Sequence, residues 1–144
     1  MITRIDHLVL TVRDLEATLS FYERVLGFTR ELRPNAPAAL KFGAQKINVH
    51  ESVRPFEPKA AHPTPGAGDF CLITERPIED IVAHLERCGV AIELGPVERS
   101  GAEGPMMSVY FRDPDGNLVE VARYDAIARR RGVHLAIEAQ TERL

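Results

Sequence analysis

One order of predicted strands and a helix occurs twice in this chain, and that repeat constrains the fold more than any other feature. In the first half, a β-rich run at 5–12 precedes apolar residues at helical spacing over 15–26, and three strand-like runs follow before residue 51. The same order returns over 69–122. Each half therefore predicts a βαβββ module, in which one helix covers one face of a small sheet and the other face needs a partner.

Local signals indicate where the two helices begin and end. Asp14 is placed to cap a helix at Leu15–Leu26, and Gly27 is placed to end it. Pro77 suits the first turn of the second helix, which Gly89 ends. The predicted fold class is α+β, with two βαβββ modules whose curved mixed sheets enclose a cleft suited to a binding site.

The later part of the second module contains more turn residues than the first module does. We expect an extended segment at 90–94, a loop at 95–104 and a strand at 106–111. The segment 113–116, with sequence Asp-Pro-Asp-Gly, is a strong turn signal, and the last strand follows at 117–122.

The length of 144 residues suits one domain built from both modules. The repeating pattern disappears between them, where prolines and glycines predict a long loop that serves either as a plain connector or as a functional segment. We predict a single domain at 1–125 and a C-terminal tail at 126–144. Within the domain we place module one at about 4–50, a linker at 51–68 and module two at about 69–124.

Composition excludes several classes of function. Lysine and arginine total 18 against 21 acidic residues, so a net charge of −3 offers no general attraction for nucleic acid. No apolar run approaches the length of a membrane span, and the N-terminal residues do not resemble a signal peptide. Two cysteines cannot form a disulfide framework. We therefore expect a soluble cytoplasmic protein with neither a nucleic acid nor a membrane as partner.

The repeat places four polar residues at equivalent positions. His7 aligns with Asp69, Asn48 aligns with Glu120, and His50 lies two residues beyond Asn48 on the same strand face. Imidazole and carboxylate ligands of this kind suit a divalent transition metal such as iron(II), manganese, nickel or zinc. The competing interpretations are that His7 is a structural histidine in an apolar strand and that Glu120 faces solvent.

Three segments resemble the vicinal oxygen chelate superfamily, which contains glyoxalases, bleomycin-resistance proteins and extradiol dioxygenases. The resemblance extends over about residues 4–124, and its motifs are His7–Val12, Ser20–Phe28 and, most specifically, Tyr110–Val121. Two further segments, Phe56–Pro63 and Gly101–Ser108, resemble a subgroup of glyoxalase-domain-containing proteins.

The resemblance implies a metal-binding cup formed by the two modules, with His7 and Glu120 as ligands. Asp69 stands where family enzymes usually have histidine, so two ligand sets compete. One set is His7, Asp69 and Glu120, and the other is His7, His50 and Glu120. A metal held there would bind adjacent oxygens of a substrate, and Glu120, or alternatively Asp69, is the candidate general base.

Further predictions concern the residues around the metal and what the protein does. Asn48, His62, Ser108 and Tyr110 are the candidate substrate-binding residues. His62 is alternatively a metal ligand, a general acid or base, or a residue that anchors the linker, and Tyr110 alternatively packs. We expect a metal-dependent isomerase, lyase or dioxygenase acting on a small molecule with vicinal oxygens. The alternative is a metal-free protein that sequesters a small molecule, as bleomycin-resistance proteins do. Both predict a homodimer.

Overall fold

The computed structural model describes residues 1–124, so the tail predicted at 126–144 lies outside the described residues. The predicted order βαβββ-βαβββ and the α+β class are confirmed. The elements are β1 (His7–Val12), α1 (Leu15–Leu26), β2 (Thr29–Glu31), β3 (Ala38–Phe42), β4 (Gln45–Glu51), β5 (Asp69–Ile73), α2 (Ile78–Arg87), β6 (Leu94–Gly101), β7 (Gly104–Arg112) and β8 (Leu118–Tyr124).

The strands form two four-stranded mixed sheets. The first has the order β1-β4-β3-β2, with β1 parallel to β4 and the other pairs antiparallel. The second has the equivalent order β5-β8-β7-β6. The chain divides into two compact units: unit 1 comprises Met1–Asp69 and Arg112–Leu118, and unit 2 comprises Phe70–Phe111 and the chain from Val119. The short segment Arg112–Leu118, which contains the predicted turn, thus belongs to unit 1 rather than to the second half of the sequence.

Helix α1 begins and ends where its capping residues predict. The Asp14 carboxylate accepts a hydrogen bond from the Ala17 N–H at 3.0 Å, and Gly27 adopts the left-handed conformation (φ 70°) that ends the helix. Leu19, Tyr22 and Val25 are buried, in keeping with their helical spacing. The apolar face of α1 therefore supplies the core of unit 1, together with the inward residues of the first sheet, which include Leu10, Val12, Leu40, Ile47 and Val49.

The prediction of a loop at 95–104 was wrong, because most of that segment is strand β6. Its residues pair antiparallel with β7, and Gly101 opposite Gly104 closes a tight hairpin. Pro96 lies within this strand, which is possible because β6 is the last strand of its sheet and an edge strand tolerates proline. The register shifts between Leu94 and Val97, so Pro96 lies at an irregularity of the ladder.

The last residues of the linker lie tightly against the Asp113–Gly116 turn and the residue that follows it. The Gly68 N–H donates to Asn117 Oδ1 at 2.7 Å, and a Cβ at Gly68 would lie 2.8 Å from that oxygen. A Cβ at Gly66, where φ is 84°, would lie 2.7 Å from the backbone oxygen of Asp115. Both glycines therefore permit a close approach of two backbone segments that a larger residue would separate.

The Gly66→Ala substitution is expected to destabilise the protein more than Gly116→Ala. The two residues have φ values of 84° and 85°, but a Cβ at Gly116 would meet no atom within 4 Å. Gly116→Ala should therefore lose only the backbone contribution, about 1–2 kcal/mol, and Gly66→Ala about 1–3 kcal/mol more because of the clash. Urea unfolding of both variants measures the difference, and equal losses would show that the linker moves away freely.

Candidate functional site

The open face of the first sheet carries several of the predicted site residues. Thr11 of β1 lies opposite His50 of β4, and Val9 lies opposite Asn48. The residues between them on each strand are buried in the core, so His7, Val9 and Thr11 share the other face with Asn48 and His50. The pleat thus brings three predicted residues, His7, Asn48 and His50, onto one face of one sheet.

His7 is the first residue of β1, and one of its ring nitrogens is already held. Nδ1 lies 2.9 Å from the Asp6 carboxylate, and this hydrogen bond lowers the pKa of Asp6. The His7 side chain is 43% exposed. A carboxylate that fixes Nδ1 orients the ring and leaves Nε2 as the nitrogen available to a ligand, an arrangement typical of metal-binding histidines.

A cavity of about 530 Å³, which we call the linker cavity, opens between this face and the linker. Its walls come from β1, the end of β4, the linker and Asn117, all within unit 1. Its volume is in the range that binds small organic ligands. The lining residues are Val9, Leu10, Thr11, His50, Pro58, Lys59, Ala60, His62, Pro63, Thr64, Ala67, Gly68 and Asn117.

Two predicted histidines, twelve residues apart in sequence, meet at this cavity. His50 is only 5% exposed, and burial lowers the pKa of its imidazole. Its ring centroid lies 5.5 Å from that of Phe56. His62 projects from the linker and is exposed. At pH 7 the cavity therefore has one buried, uncharged imidazole, that of His50, and one accessible imidazole, that of His62.

The buried His50 predicts how stability depends on pH. Its folded-state pKa lies below that of the unfolded chain, so the unfolded state binds the extra proton and acidification favours unfolding. We expect the free energy of unfolding to fall as pH drops below about 6.5, the unperturbed histidine value. His50→Gln should reduce this fall, whereas His84→Gln on α2 should not. Urea unfolding at pH 7 and pH 5 tests this, and an unchanged pH dependence in His50→Gln would contradict it.

Glu120 lies on β8 in unit 2, next to a residue that was not among the predicted site residues. Backbone hydrogen bonds from Leu118 to Gly68 and from Thr74 to Ala122 set a parallel register that places Glu120 opposite Cys71 of β5. Burial and the Glu120 carboxylate raise the pKa of the Cys71 thiol to about 12. Glu120 Oε2 is itself buried and has no hydrogen-bond partner within residues 1–124.

The other predicted residues of the second module differ in exposure. Asp69, the first residue of β5, is exposed and shares a strand face with Cys71. Ser108 is fully buried and its Oγ has no hydrogen-bond partner in the described part of the chain. Tyr110 is half-buried, and its hydroxyl accepts a hydrogen bond from Arg99 Nε at 3.0 Å. Ser108 and Tyr110 were predicted to share one strand face. The Ser108 hydroxyl is enclosed, and the Tyr110 hydroxyl already accepts a hydrogen bond.

The turn within the Tyr110–Val121 motif contains a buried carboxylate, that of Asp113, which accepts several hydrogen bonds. Asp113 is 6% exposed and accepts hydrogen bonds from the Tyr22 hydroxyl at 2.8 Å and from the Asn117 side chain at 2.7 Å. The backbone N–H groups of Asp115 and Asn117 also donate to it, each at 2.9 Å. Burial and the Asp113 charge raise the pKa of Tyr22, which keeps its hydroxyl a donor. Asn117 connects this network to the linker cavity.

Residues 1–124 contain no group of three His, Cys, Asp or Glu side chains that could hold a metal ion, and the two predicted ligand sets stay predictions. His7 and His50 belong to unit 1, and Glu120 belongs to unit 2. Thr11 and Lys59 line the linker cavity but were not among the site residues predicted from the sequence. Alternation from His7 along β1 could have indicated Thr11, whereas nothing in the sequence indicates where the linker folds back.

The profile of the Glyoxalase/Bleomycin resistance protein/Dioxygenase superfamily matches residues 4–121. The chain is 55% identical over 124 residues to Virulence protein STM3117 of Salmonella typhimurium (strain LT2), covering 86% of each chain. A crystal structure of that protein gives a TM-score of 0.85 at 54% identity, covering 87% of this chain and 99% of the other.

Two further relatives match most of this chain at lower identity. Glyoxalase domain-containing protein RDO1 of Mycosarcoma maydis is 45% identical over 120 residues, which are 83% of this chain and 68% of that protein. Glutathione transferase FosA of Serratia marcescens is 29% identical over 126 residues, 84% of this chain and 81% of that protein. Neither helix within residues 1–124 is long and apolar enough to cross a membrane. The family resemblance read from the three sequence motifs is thus confirmed, and the chain belongs to the Glyoxalase/Bleomycin resistance protein/Dioxygenase superfamily.

Proposed function

We propose that this protein is a divalent-metal-dependent enzyme, of isomerase, lyase or dioxygenase type, that acts on a small molecule with vicinal oxygens. The observation that carries the proposal is Glu120, whose Oε2 is buried without a hydrogen-bond partner in the described chain. A buried carboxylate oxygen is costly unless a charged or hydrogen-bonding group satisfies it, and a metal ion does so. Superfamily membership makes that ion the group to expect.

The donor set fits a divalent transition metal. His7 offers Nε2 while Asp6 holds Nδ1, and Glu120 offers Oε2. We propose Asp69 as the third ligand, since it shares the face of β5 that lies beside Glu120. His50 is the alternative third ligand. Its place in the wall of the linker cavity makes it a better candidate for contact with a substrate.

Each side chain has a separate chemical part in this proposal. A bound divalent ion supplies Lewis-acid stabilisation of negative charge on the substrate's oxygens. Glu120 is in addition the candidate general base, because a carboxylate within reach of the substrate can accept the proton that a substrate carbon loses. Asn48 and His62 are proposed to contact the substrate, together with Ser108 and Tyr110. Because Ser108 is fully buried, its hydroxyl would contact the substrate only where the substrate reaches into the sheet.

A metal-free binding protein is the second candidate function. The observation that favours it is the linker cavity, which unit 1 builds from its own residues and which contains, of the two proposed ligand sets, only His50. Such a protein would sequester a small molecule in that cavity. The two candidates differ in one measurable respect, because only the enzyme requires a stoichiometric metal.

We further propose a homodimer that acts in the cytoplasm on a small molecule, with neither nucleic acid nor membrane as partner. Support for the dimer comes from apolar side chains left exposed on strands of the second sheet: Ile73 at 51%, Leu94 at 45% and Met107 at 37%. A second copy that covers these side chains would remove apolar area from water. Light scattering coupled to size-exclusion chromatography measures the mass, and a monomer would contradict the dimer.

Metal content decides between the two functions. Protein purified without chelator, and then offered iron(II), manganese, nickel or zinc, should hold a metal in stoichiometric amount. His7→Ala should lose it, and so should Asp69→Ala if Asp69 is the third ligand; loss in His50→Ala instead would select the other set. His84→Ala, on α2, is the matched histidine control. Wild-type protein that stays empty with all four metals would overturn the enzyme and leave the binding protein.

A further inference from the structure

We propose that the linker cavity is an anion-binding subsite that takes a carboxylate group carried on a small apolar body. The groups that would bind it are Lys59, His62 and His50, with the Thr11 hydroxyl. The inference deepens the proposed function by naming a substrate class. It rests on that function only for the view that the bound molecule is a substrate, since binding itself needs no metal.

The charge of the cavity wall carries the argument. None of the lining residues is acidic, although acidic residues outnumber basic ones in the chain by 21 to 18. Besides Asn117, whose side-chain nitrogen already donates to Asp113, three lining side chains have nitrogen donors: the Lys59 ammonium and the His50 and His62 imidazoles. Hydrogen bonds from such donors to a charged oxygen are shorter and stronger than neutral ones. The wall therefore favours an anion over a cation.

Lys59 already pairs with a carboxylate that does not line the cavity. Glu57 forms an ion pair with Lys59, and its side chain is 69% exposed. An ion pair in that position is worth little because water screens it. An anion inside the cavity would meet Lys59 in a less hydrated place and can replace Glu57 as its partner.

The remaining wall is apolar and suits a hydrocarbon body rather than a free inorganic ion. Val9, Leu10, Pro58, Ala60 and Pro63 line it. A volume of about 530 Å³ leaves room for several carbon atoms beside the charged group. Thr11 adds one hydroxyl at the floor, opposite His50 across the β1–β4 pair.

The wall is held in place before any ligand binds. Gly66 and Gly68 bring the linker into close contact with the Asp115–Asn117 segment, and the Gly68 N–H is tied to Asn117 Oδ1 at 2.7 Å. The Thr64 hydroxyl donates to the His62 carbonyl oxygen at 3.2 Å. A linker held in this way loses little further freedom on binding, which favours affinity.

The position of the cavity relates the anion to the proposed metal ligand. Thr11 lies four residues from His7 on the same face of β1, so the two are separated by about 13 Å along the strand. A substrate that reaches both places would carry its anionic group several bonds away from its vicinal oxygens. The substrate class that follows is a small organic acid with a separate pair of oxygens.

Binding of simple probes to the metal-free chain tests the subsite. Benzoate presents the anion, and benzamide and benzyl alcohol are neutral probes of similar size. Calorimetry or histidine-detected NMR should show benzoate binding at least about tenfold more tightly than benzamide, the effect of one charge-assisted hydrogen bond. The His50 and His62 ring signals should shift with benzoate, and the His84 signal should not.

Matched variants identify the donors. Lys59→Gln and His62→Gln change exposed linker residues, and each should weaken benzoate binding about tenfold. Lys41→Gln removes the same charge from β3, outside the cavity, and should leave binding unchanged. These two exposed positions keep the test valid even where His50→Gln unfolds the protein.

Three outcomes would overturn the proposal. Benzamide that binds as tightly as benzoate would show that the charge is not recognised, and Lys41→Gln as damaging as Lys59→Gln would show only a long-range effect of net charge. Benzoate binding that appears only after metal loading would place the anion on the metal. By contrast, benzoate binding by a chain that never takes up metal would refute the metalloenzyme and leave this subsite standing.

Discussion

The Asp113→Ala variant is expected to unfold with about 3–5 kcal/mol less free energy than the wild type, because one side chain satisfies several buried donors. Tyr22 and Asn117 are 0% and 1% exposed, and both direct a side-chain donor at the Asp113 carboxylate. Alanine would leave both donors without their acceptor and away from water. The backbone N–H groups of Asp115 and Asn117 would lose theirs as well.

Graded variants separate the parts of this network. Tyr22→Phe removes a single donor and should lower the free energy of unfolding by about 1–2 kcal/mol. Asp80→Ala, at an exposed position in the first turn of α2, should change it by less than about 1 kcal/mol. Urea unfolding measures all three. An Asp113→Ala variant as stable as Asp80→Ala would show that the turn reorganises and that this part of the motif is not structural.

The Glu120→Gln variant is expected to lose metal affinity by about 100-fold or more while the metal-free protein keeps its stability to within about 1 kcal/mol. Oε2 already lacks a hydrogen-bond partner in the described chain, so the folded state gains little from the charge when no metal is present. Glutamine keeps an oxygen for the Cys71 thiol and removes the anionic ligand. Stability and function should therefore change independently at this position.

Two measurements on one variant test this separation. Metal affinity comes from competition with a chromophoric chelator, and the stability of the metal-free protein comes from urea unfolding. Glu98→Gln, on β6 of the same unit, makes the same charge change without altering the proposed ligand set. If affinity and stability fell together in Glu120→Gln, Glu120 would be a structural residue and the metal proposal would lose its main support.

The turn motif illustrates what a sequence pattern can and cannot tell. Asp113–Gly116 was correctly interpreted as a turn, because aspartate, proline and glycine each have a local backbone preference. That the Asp113 side chain would accept a hydrogen bond from Tyr22, ninety-one residues away, depends on how α1 packs. The motif that identifies the family therefore contains two kinds of residue. Some of its residues stabilise unit 1, and another, Glu120, is a proposed metal ligand.

The error at β6 has an equally specific cause. The composition of Gly95–Gly104 is that of a loop, and local signals alone support no other interpretation. The segment became a strand because β7 offers it a partner and because an edge position tolerates Pro96. Pairing with a neighbour outweighed local propensity, as it commonly does in sheets.

The candidate site was predictable in part. The repeat placed Glu120 equivalent to Asn48, and the structure gives both residues the corresponding place beside the first strand of their modules, opposite Val9 and Cys71. The neighbours of these residues follow from that register. The roles of His7 and Glu120 in metal binding, and of Asp69 or His50 beside them, stay predictions that the metal measurements test.

The sequence by itself determined the two βαβββ modules, the limits of α1 and the family, because helical spacing, capping residues and turn residues act over a few positions. The tertiary structure alone decided that the linker, set apart at first only by its lack of pattern, folds back on β1 and β4. His50, His62 and Lys59 meet there because two glycines let the backbone approach the Asp115–Asn117 segment. Contacts of this kind join residues far apart in sequence, and they depend on packing that no local pattern records.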